Sequence, residues 1–228
     1  MKDPVISIKE MSLSIENKEI LSNITQYFFD KNFYVLIGPN GSGKTSLLKA
    51  IYGSLPYNKG KIEIIDGKTI SFVPDSSYLY EYLTGEEYLT FIGKLNGMKS
   101  KIIKSRSEKL LKSLYLYNSR NNLIKSYSNG MKQKLSIASS MIINPNILLL
   151  DEPMTGTDYL SNKVIKEFLI NYSKENLVII STHFFELVYE LSNEVIPVVN
   201  GRIGEQISSN SMSENELKNK MERVFLNE

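Results

Sequence analysis

The sequence predicts an α/β fold, an α/β core interrupted by a helical insertion. Three observations carry this. Short β-branched apolar runs, "VISI" and "YVLIG", open the chain. From about Tyr78 to Pro145 apolar residues recur at helical spacing instead. Continuous apolar runs then return as "ILLLD" and "LVIIS" with a helix-length segment between them. Such runs mark strands buried on both faces, and a strand-helix-strand unit of this kind builds a parallel sheet.

Each element follows from its local pattern. "KIEII" and "TISFVP" sit either side of "DGK" and are expected to form a hairpin. "LTGEEYLTFIGKL", "SKIIKSRSEKLLKSLYL" and "MKQKLSIASSMII" are expected helices. So is "SNKVIKEFLINYSKE", between the two buried strands. "IPVVNGRI" reads as a closing hairpin, and "MSENELKNKMERVFL" as a short surface helix. The expected division is a core with a β subdomain over 1–77 and 146–228, and a helical subdomain over 78–145.

Composition narrows the function classes. A chain of 228 residues buries a substantial core. It has no cysteine, so no disulfide and no thiolate zinc site is expected. A net charge of +2 gives no basic surface for nucleic acid, which is not expected as a partner. "MKDPVISIKE" lacks the apolar run of a signal peptide, and the longest apolar run, in "NILLLDEP", is strand-sized. The expected location is the cytoplasm, with any work at a membrane done through a partner.

The chemistry is carried by "VLIGPNGSGKTSLLKA", which runs strand, glycine-rich loop, helix. Gly38, Gly41 and Gly43 with Lys44 and Thr45 fit the phosphate-binding pattern G-x-x-x-x-G-K-[ST]. Glycines let backbone N–H groups turn inward on phosphates, and the following helix points its positive end at the same anion. Lys44 adds a charge at the β- and γ-phosphates, and the Thr45 hydroxyl can ligate Mg²⁺. The loop residues Pro39, Asn40, Ser42 and Ser46 complete the expected contact set. The ligand is a nucleoside triphosphate.

"ILLLDEP" supplies the other half. Asp151, at the carboxyl end of a buried strand, is placed to hold Mg²⁺, and Glu152 to polarise an attacking water. His183, the single histidine, follows "LVIIS", again at a strand's carboxyl end where open α/β sheets bind ligands. It is placed to hydrogen-bond the γ-phosphate. "KSYSNGMKQKL" leaves two readings open: Ser128-Asn129-Gly130 is a turn before a helix, or a helix start built to hold an anion.

In this order the pieces resemble the nucleotide-binding subunit of ABC transporters, over roughly residues 1–205. The resemblance implies a RecA-like P-loop NTPase core with an antiparallel β subdomain and an inserted α-helical subdomain. "YSNGMKQKL" is similar to the family signature Leu-Ser-Gly-Gly-Gln, keeping Ser128 and Gly130 and departing at Tyr127, Asn129 and Met131. By that resemblance Ser128, Asn129 and Gly130 meet the γ-phosphate of ATP in a second ATPase subunit, so that two chains sandwich two ATP molecules. "MTGTDYLS" resembles the D-loop, which implies that Asp158 touches the opposite subunit.

Two positions depart further from the family. Near Ile15 it places an aromatic residue that stacks on adenine; isoleucine packs on a base but does not stack. After "VP" it places glutamine, where this chain has Asp75, a carboxylate able to reach Mg²⁺ directly or through water. Tyr78, Tyr80, Tyr82 and Tyr88 fall where the family receives a membrane permease, and they are read either as that surface or as packing of the helical lobe.

The function implied is an ATP-hydrolysing motor with ATP and Mg²⁺, peripheral on the inner face of the cell membrane through a permease subunit. "YSNGMKQKL" and "VPDSSYLYEYLTGEEYL" resemble bacterial exporters of the Ecs-like and bacteriocin-immunity type. The alternatives are a soluble non-transport ABC ATPase and a regulatory subunit that holds ATP without hydrolysing it.

Overall fold

The computed structural model describes residues 3–76, 78–191, 193–209 and 212–226. Ser77, the last residue of the expected first core segment, lies outside the described residues. In chain order the elements are β1 (Ile6–Ile15), β2 (Lys18–Phe28), β3 (Asn32–Ile37), α1 (Lys44–Tyr52), β4 (Lys59–Ile64), β5 (Ile70–Val73), α2 (Gly85–Leu95), α3 (Ser100–Ser113) and α4 (Asn129–Met141). There follow β6 (Ile147–Asp151), α5 (Tyr159–Ser173), β7 (Leu177–Thr182), α6 (Phe185–Leu191), β8 (Glu194–Val199), β9 (Arg202–Ile203), β10 (Ile207–Ser208) and α7 (Glu214–Leu226). The chain divides into two compact units, Met1–Phe72 with Asn146–Glu152 and Ser173–Glu228, and Val73–Pro145 with Pro153–Tyr172. Residues 153–172, which carry most of α5, thus pack within the second unit.

The first unit holds a three-stranded antiparallel sheet, order β2-β1-β4, and a larger sheet, order β10-β8-β3-β7-β6-β5 with β9 on β8. In the larger sheet β3 is parallel to both β7 and β8, and β6 is parallel to β7. β6 and β7 are buried along their whole length, as their unbroken apolar runs predict. A cluster of buried side chains including Phe28, Tyr34, Leu36, Leu47, Leu149, Ile179 and Ile196 forms the core. Phe28 meets Tyr34 edge to face at 5.0 Å.

β1 shows how a broken pattern is repaired. Ile6 and Ile8 point inward, and strict alternation would bring Glu10 in next. Glu10 instead takes a left-handed φ of 49° and the register with β2 shifts between Ile8 and Met11. This bulge keeps Glu10 in solvent and returns Met11 and Leu13 to the core.

The expected hairpin at "DGK" is corrected. β4 pairs with β1 in the smaller sheet, while β5 stands at the end of the larger one. Asp66-Gly67-Lys68 passes the chain from one sheet to the other, and the local turn chemistry is the same in both cases. The closing hairpin stands: Val199 pairs with Arg202 across Asn200 and Gly201, both left-handed. α7 is less superficial than its composition suggests, since Leu217 and Met221 are buried.

In the second unit α2, α3 and α4 pack together. α2 begins in a capping box: the Glu87 N–H donates to Thr84 Oγ1 at 3.2 Å, and the Thr84 N–H donates to Glu87 Oε2 at 2.8 Å. Tyr88, Leu89, Ile103, Leu111 and Leu135 fill its interior. The tyrosines therefore divide: Tyr88 packs the lobe, while Tyr78 and Tyr82 are 94% and 81% exposed.

β7 lies inside the larger sheet with neighbours on both sides, so its core residues cannot relax into a void. Ile179→Ala is expected to cost about 2–5 kcal/mol, read as a lower urea midpoint at unchanged slope.

Candidate active site

The phosphate-loop residues are placed by β3 and α1. Gly43 caps α1 with a left-handed φ of 107° and no side-chain capping bond, and the first turn of α1 carries no acidic residue. The helix start is therefore open to an external anion. A Cβ on Gly43 would lie 2.7 Å from Leu21 Cδ2, and one on Gly38 2.0 Å from the Val198 carbonyl oxygen. No side chain fits at either position. Pro39, Asn40 and Gly41 are exposed, Ser42 and Lys44 are buried, and Thr45 and Ser46 are half-buried. Ser42 Oγ is buried with no hydrogen-bond partner. An unpaired hydroxyl inside a glycine cradle fits a phosphate that would complete it.

Lys44 Nζ donates to the carbonyl oxygens of Gly38 at 2.8 Å and Pro39 at 3.1 Å, and lies 3.9 Å from Glu152 Oε1. Burial pushes the Lys44 ammonium below its usual range, against the pull of Glu152 and Asp151. Asp151 closes β6. The Thr45 hydroxyl donates to its two oxygens at 2.9 and 2.8 Å. The Ser181 hydroxyl donates to Asp151 Oδ1 at 2.6 Å and accepts from the Glu152 N–H at 3.0 Å. Glu152 adopts a left-handed φ of 47°, a conformation that costs a non-glycine residue about 1–3 kcal/mol. Its Oε1 lies 2.9 Å from His183 Nδ1.

These distances bring Lys44, Thr45, Asp151, Glu152 and His183 into one constellation. Among the described residues no group of three or more acidic, histidine or cysteine side chains is placed to hold a metal. A cation here would rest on Thr45, Asp151 and phosphate oxygens, a donor set that suits Mg²⁺. Ile15, in the same unit, ends β1 beside the Glu16-Asn17 turn and is 43% exposed.

Asp75, Ser128, Asn129, Gly130 and Asp158 lie in the second unit. Asp75 is exposed. Ser128 caps α4, its hydroxyl accepting from the Met131 N–H at 3.2 Å. Asn129 and Gly130 are the first residues of the helix, so of the two readings left open the chain adopts a helix start, with Ser128 as its cap. Gly130 is required by proximity, since a Cβ there would lie 2.1 Å from Ser161 Oγ and 2.5 Å from Asp158 Oδ2. Asp158 caps α5, accepting from the Ser161 N–H at 2.9 Å and from the Ser161 hydroxyl at 2.7 Å. These bonds hold its carboxyl below the usual range.

Sequence reasoning missed Ser181. Its one signal is a hydroxyl directly after the apolar run Leu-Val-Ile-Ile, two residues before His183.

A glycine-cradled helix start, a buried lysine, and a carboxylate held by a threonine lie together on a P-loop NTPase fold, an arrangement suited to a nucleoside triphosphate. The chain matches the ABC transporter family over residues 21–155 and belongs to it. It binds ATP and is an ATPase. It is 29% identical to the ABC transporter ATP-binding protein NatA of Bacillus subtilis, over 99% of this chain and 91% of that one. It is 30% identical to the ABC transporter ATP-binding protein MJ1023 of Methanocaldococcus jannaschii, over 87% of this chain and 76% of that one. The fold is similar to that of cbiO1 from Clostridium perfringens, part of the transporter complex cbiONQ, with a TM-score of 0.84 at 21% identity over 98% of this chain and 96% of that one.

A carboxyl depressed by folding adds stability above its unfolded pKa, and that stability is lost as pH falls through the folded value. Asp158→Asn is therefore expected to melt below the native chain at pH 7 and to converge with it in acid, as followed by circular dichroism between pH 7 and pH 3.

Proposed function

We propose that the chain is the motor subunit of a membrane ABC transporter, working as an ATP-sandwich dimer coupled to a separate permease. The observation that carries this is the joining of Thr45, Asp151, Glu152 and His183 by hydrogen bonds around one phosphate loop. Gly38–Ser46 would bind the triphosphate, with Lys44 leaving the Gly38 and Pro39 carbonyls for the β- and γ-phosphates. Thr45 and Asp151 would hold Mg²⁺, an ion that would neutralise charge on the phosphate oxygens; the family resemblance alone adds the Asp75 carboxylate as a candidate ligand. Glu152 would accept a proton from the attacking water, and His183, through its bond to Glu152, would fix that carboxylate and contact the γ-phosphate. Ile15 would pack on the base.

The second half of each site comes in this reading from another copy of the chain, or a related one. Ser128, Asn129 and Gly130 start a helix of 13 residues whose first turn is free of acids, as an anion site requires. Asp158 would lie at the same contact. The exposed Tyr78, Tyr80 and Tyr82 support a permease-facing surface, since aromatic side chains with a polar tip are favoured in interface cores. No helix among the described residues is long and apolar enough to cross a membrane. In this reading the chain works on the cytoplasmic face through that permease. The exporter direction rests on the resemblance of "YSNGMKQKL" and "VPDSSYLYEYLTGEEYL" to bacterial exporters of the Ecs-like and bacteriocin-immunity type.

Glu152→Gln is expected to lower the ATPase rate by about 10²–10⁴-fold and to trap a dimer in ATP and Mg²⁺, seen by size-exclusion chromatography with light scattering. A rate linear in protein concentration, with a mutant monomeric in ATP, would count against the sandwich. Tyr82→Glu is expected to keep the ATPase activity of the isolated chain and to lose co-purification with the permease.

A further inference from the structure

Three parallel strands end side by side at the site, in the order β3, β7, β6. Ser181 lies on the middle one. Its Cα is in register with Leu36 on one side and Asp151 on the other. Residues in register on neighbouring parallel strands project to the same face, so the Ser181 hydroxyl arrives beside the Asp151 carboxylate. The side chain is fully buried, 0% exposed, next to last in a strand that runs Leu-Val-Ile-Ile before it and ends in Thr182. An aliphatic residue would suit that position better unless the hydroxyl is used. Both its functions are used: it donates to Asp151 Oδ1 and accepts from the Glu152 N–H.

We propose that Ser181 is a positioning residue for ATP hydrolysis, one hydroxyl clamping the Asp151 carboxylate and the Glu152 backbone in a single geometry. This rests on the roles proposed above for those two acids. The bond to Oδ1 fixes the Asp151 rotamer opposite Thr45. The bond from the Glu152 N–H holds that residue in its left-handed conformation, which sends the carboxylate to His183. Without the hydroxyl, the metal ligand and the proposed base are released together. The phosphate loop, built on α1 and its glycines, is not.

The test uses the full chain with Ser181→Ala and the nearly isosteric Ser181→Cys, whose thiol is a weak donor and acceptor. Three quantities are measured: affinity for a fluorescent trinitrophenyl-ATP in EDTA, kcat, and the Mg²⁺ concentration giving half-maximal enhancement of nucleotide binding. Groups that orient a metal ligand from behind change metal affinity or activity by about 10–100-fold. The expected result is metal-free binding within twofold of native, kcat lowered by about 10-fold or more, and a severalfold higher Mg²⁺ requirement in both variants. Native kcat and Mg²⁺ requirement in either variant would overturn the proposal. So would loss of metal-free binding in both, which would make Ser181 a packing residue. A Glu152→Gln chain that hydrolyses ATP at the native rate would instead sink the reading on which the clamp rests.

Discussion

The Asp151 carboxylate is the point on which the site turns. Two hydroxyls converge on it, one from the first turn of α1 and one from the end of β7. Neither is near it in sequence. What brings them there is the strand order, which sets β7 between the strand that feeds the phosphate loop and the strand that ends in Asp151. A buried carboxylate is costly without partners, so the sheet must close in this order for the charge to be tolerated. The same hydroxyl that shares the charge also accepts from the Glu152 backbone. Sheet register, acid placement and backbone strain at Glu152 are thus one constraint seen at three scales.

The phosphate loop is organised on a different principle. Lys44 is buried and its ammonium is destabilised by that burial, yet it is satisfied by the carbonyls of Gly38 and Pro39. The cation is prepositioned by the loop it serves. In the proposed site a triphosphate would exchange those carbonyl partners for phosphate oxygens, with little reorganisation of the chain. Ser42 differs, for its buried hydroxyl has no partner to exchange. The loop is complete except where an anion would enter.

How much of this was legible in sequence depends on how local each cause is. The phosphate loop is legible because its glycines, Lys44 and Thr45 act within a dozen residues of one another. The α/β class and the buried parallel strands are legible because burial on both faces leaves an unbroken apolar run. The "DGK" connection misleads because Asp66-Gly67-Lys68 makes the same turn whether the flanking strands pair or part company. Asn129-Gly130 is ambiguous in sequence because a turn preference of two residues competes with a serine cap and a whole helix behind it. Tyr82 and Tyr88 cannot be separated by residue type, since only the packing of α2 decides which one is covered. Ser181 is the least legible, because its partners are fixed by which strand lies between which.

The second unit adds a constraint on how two copies could communicate. Asp158 has been read as a residue that reaches a partner, but both its carboxylate oxygens are engaged in capping α5 through Ser161. Each oxygen keeps a further lone pair, so the exposed carboxylate can still accept across an interface while it positions the helix it caps. That helix start presses on Gly130, where no Cβ fits between Ser161, Asp158 and the first turn of α4. The starts of α4 and α5 are therefore in contact through a residue with no side chain to cushion them. A shift of the Asp158 segment by an ångström must move the α4 start or break the cap. In the proposed sandwich the α4 start faces a neighbour's γ-phosphate, so coupling between the sites would pass through the rigid contact at Gly130 as well as through the Asp158 carboxylate.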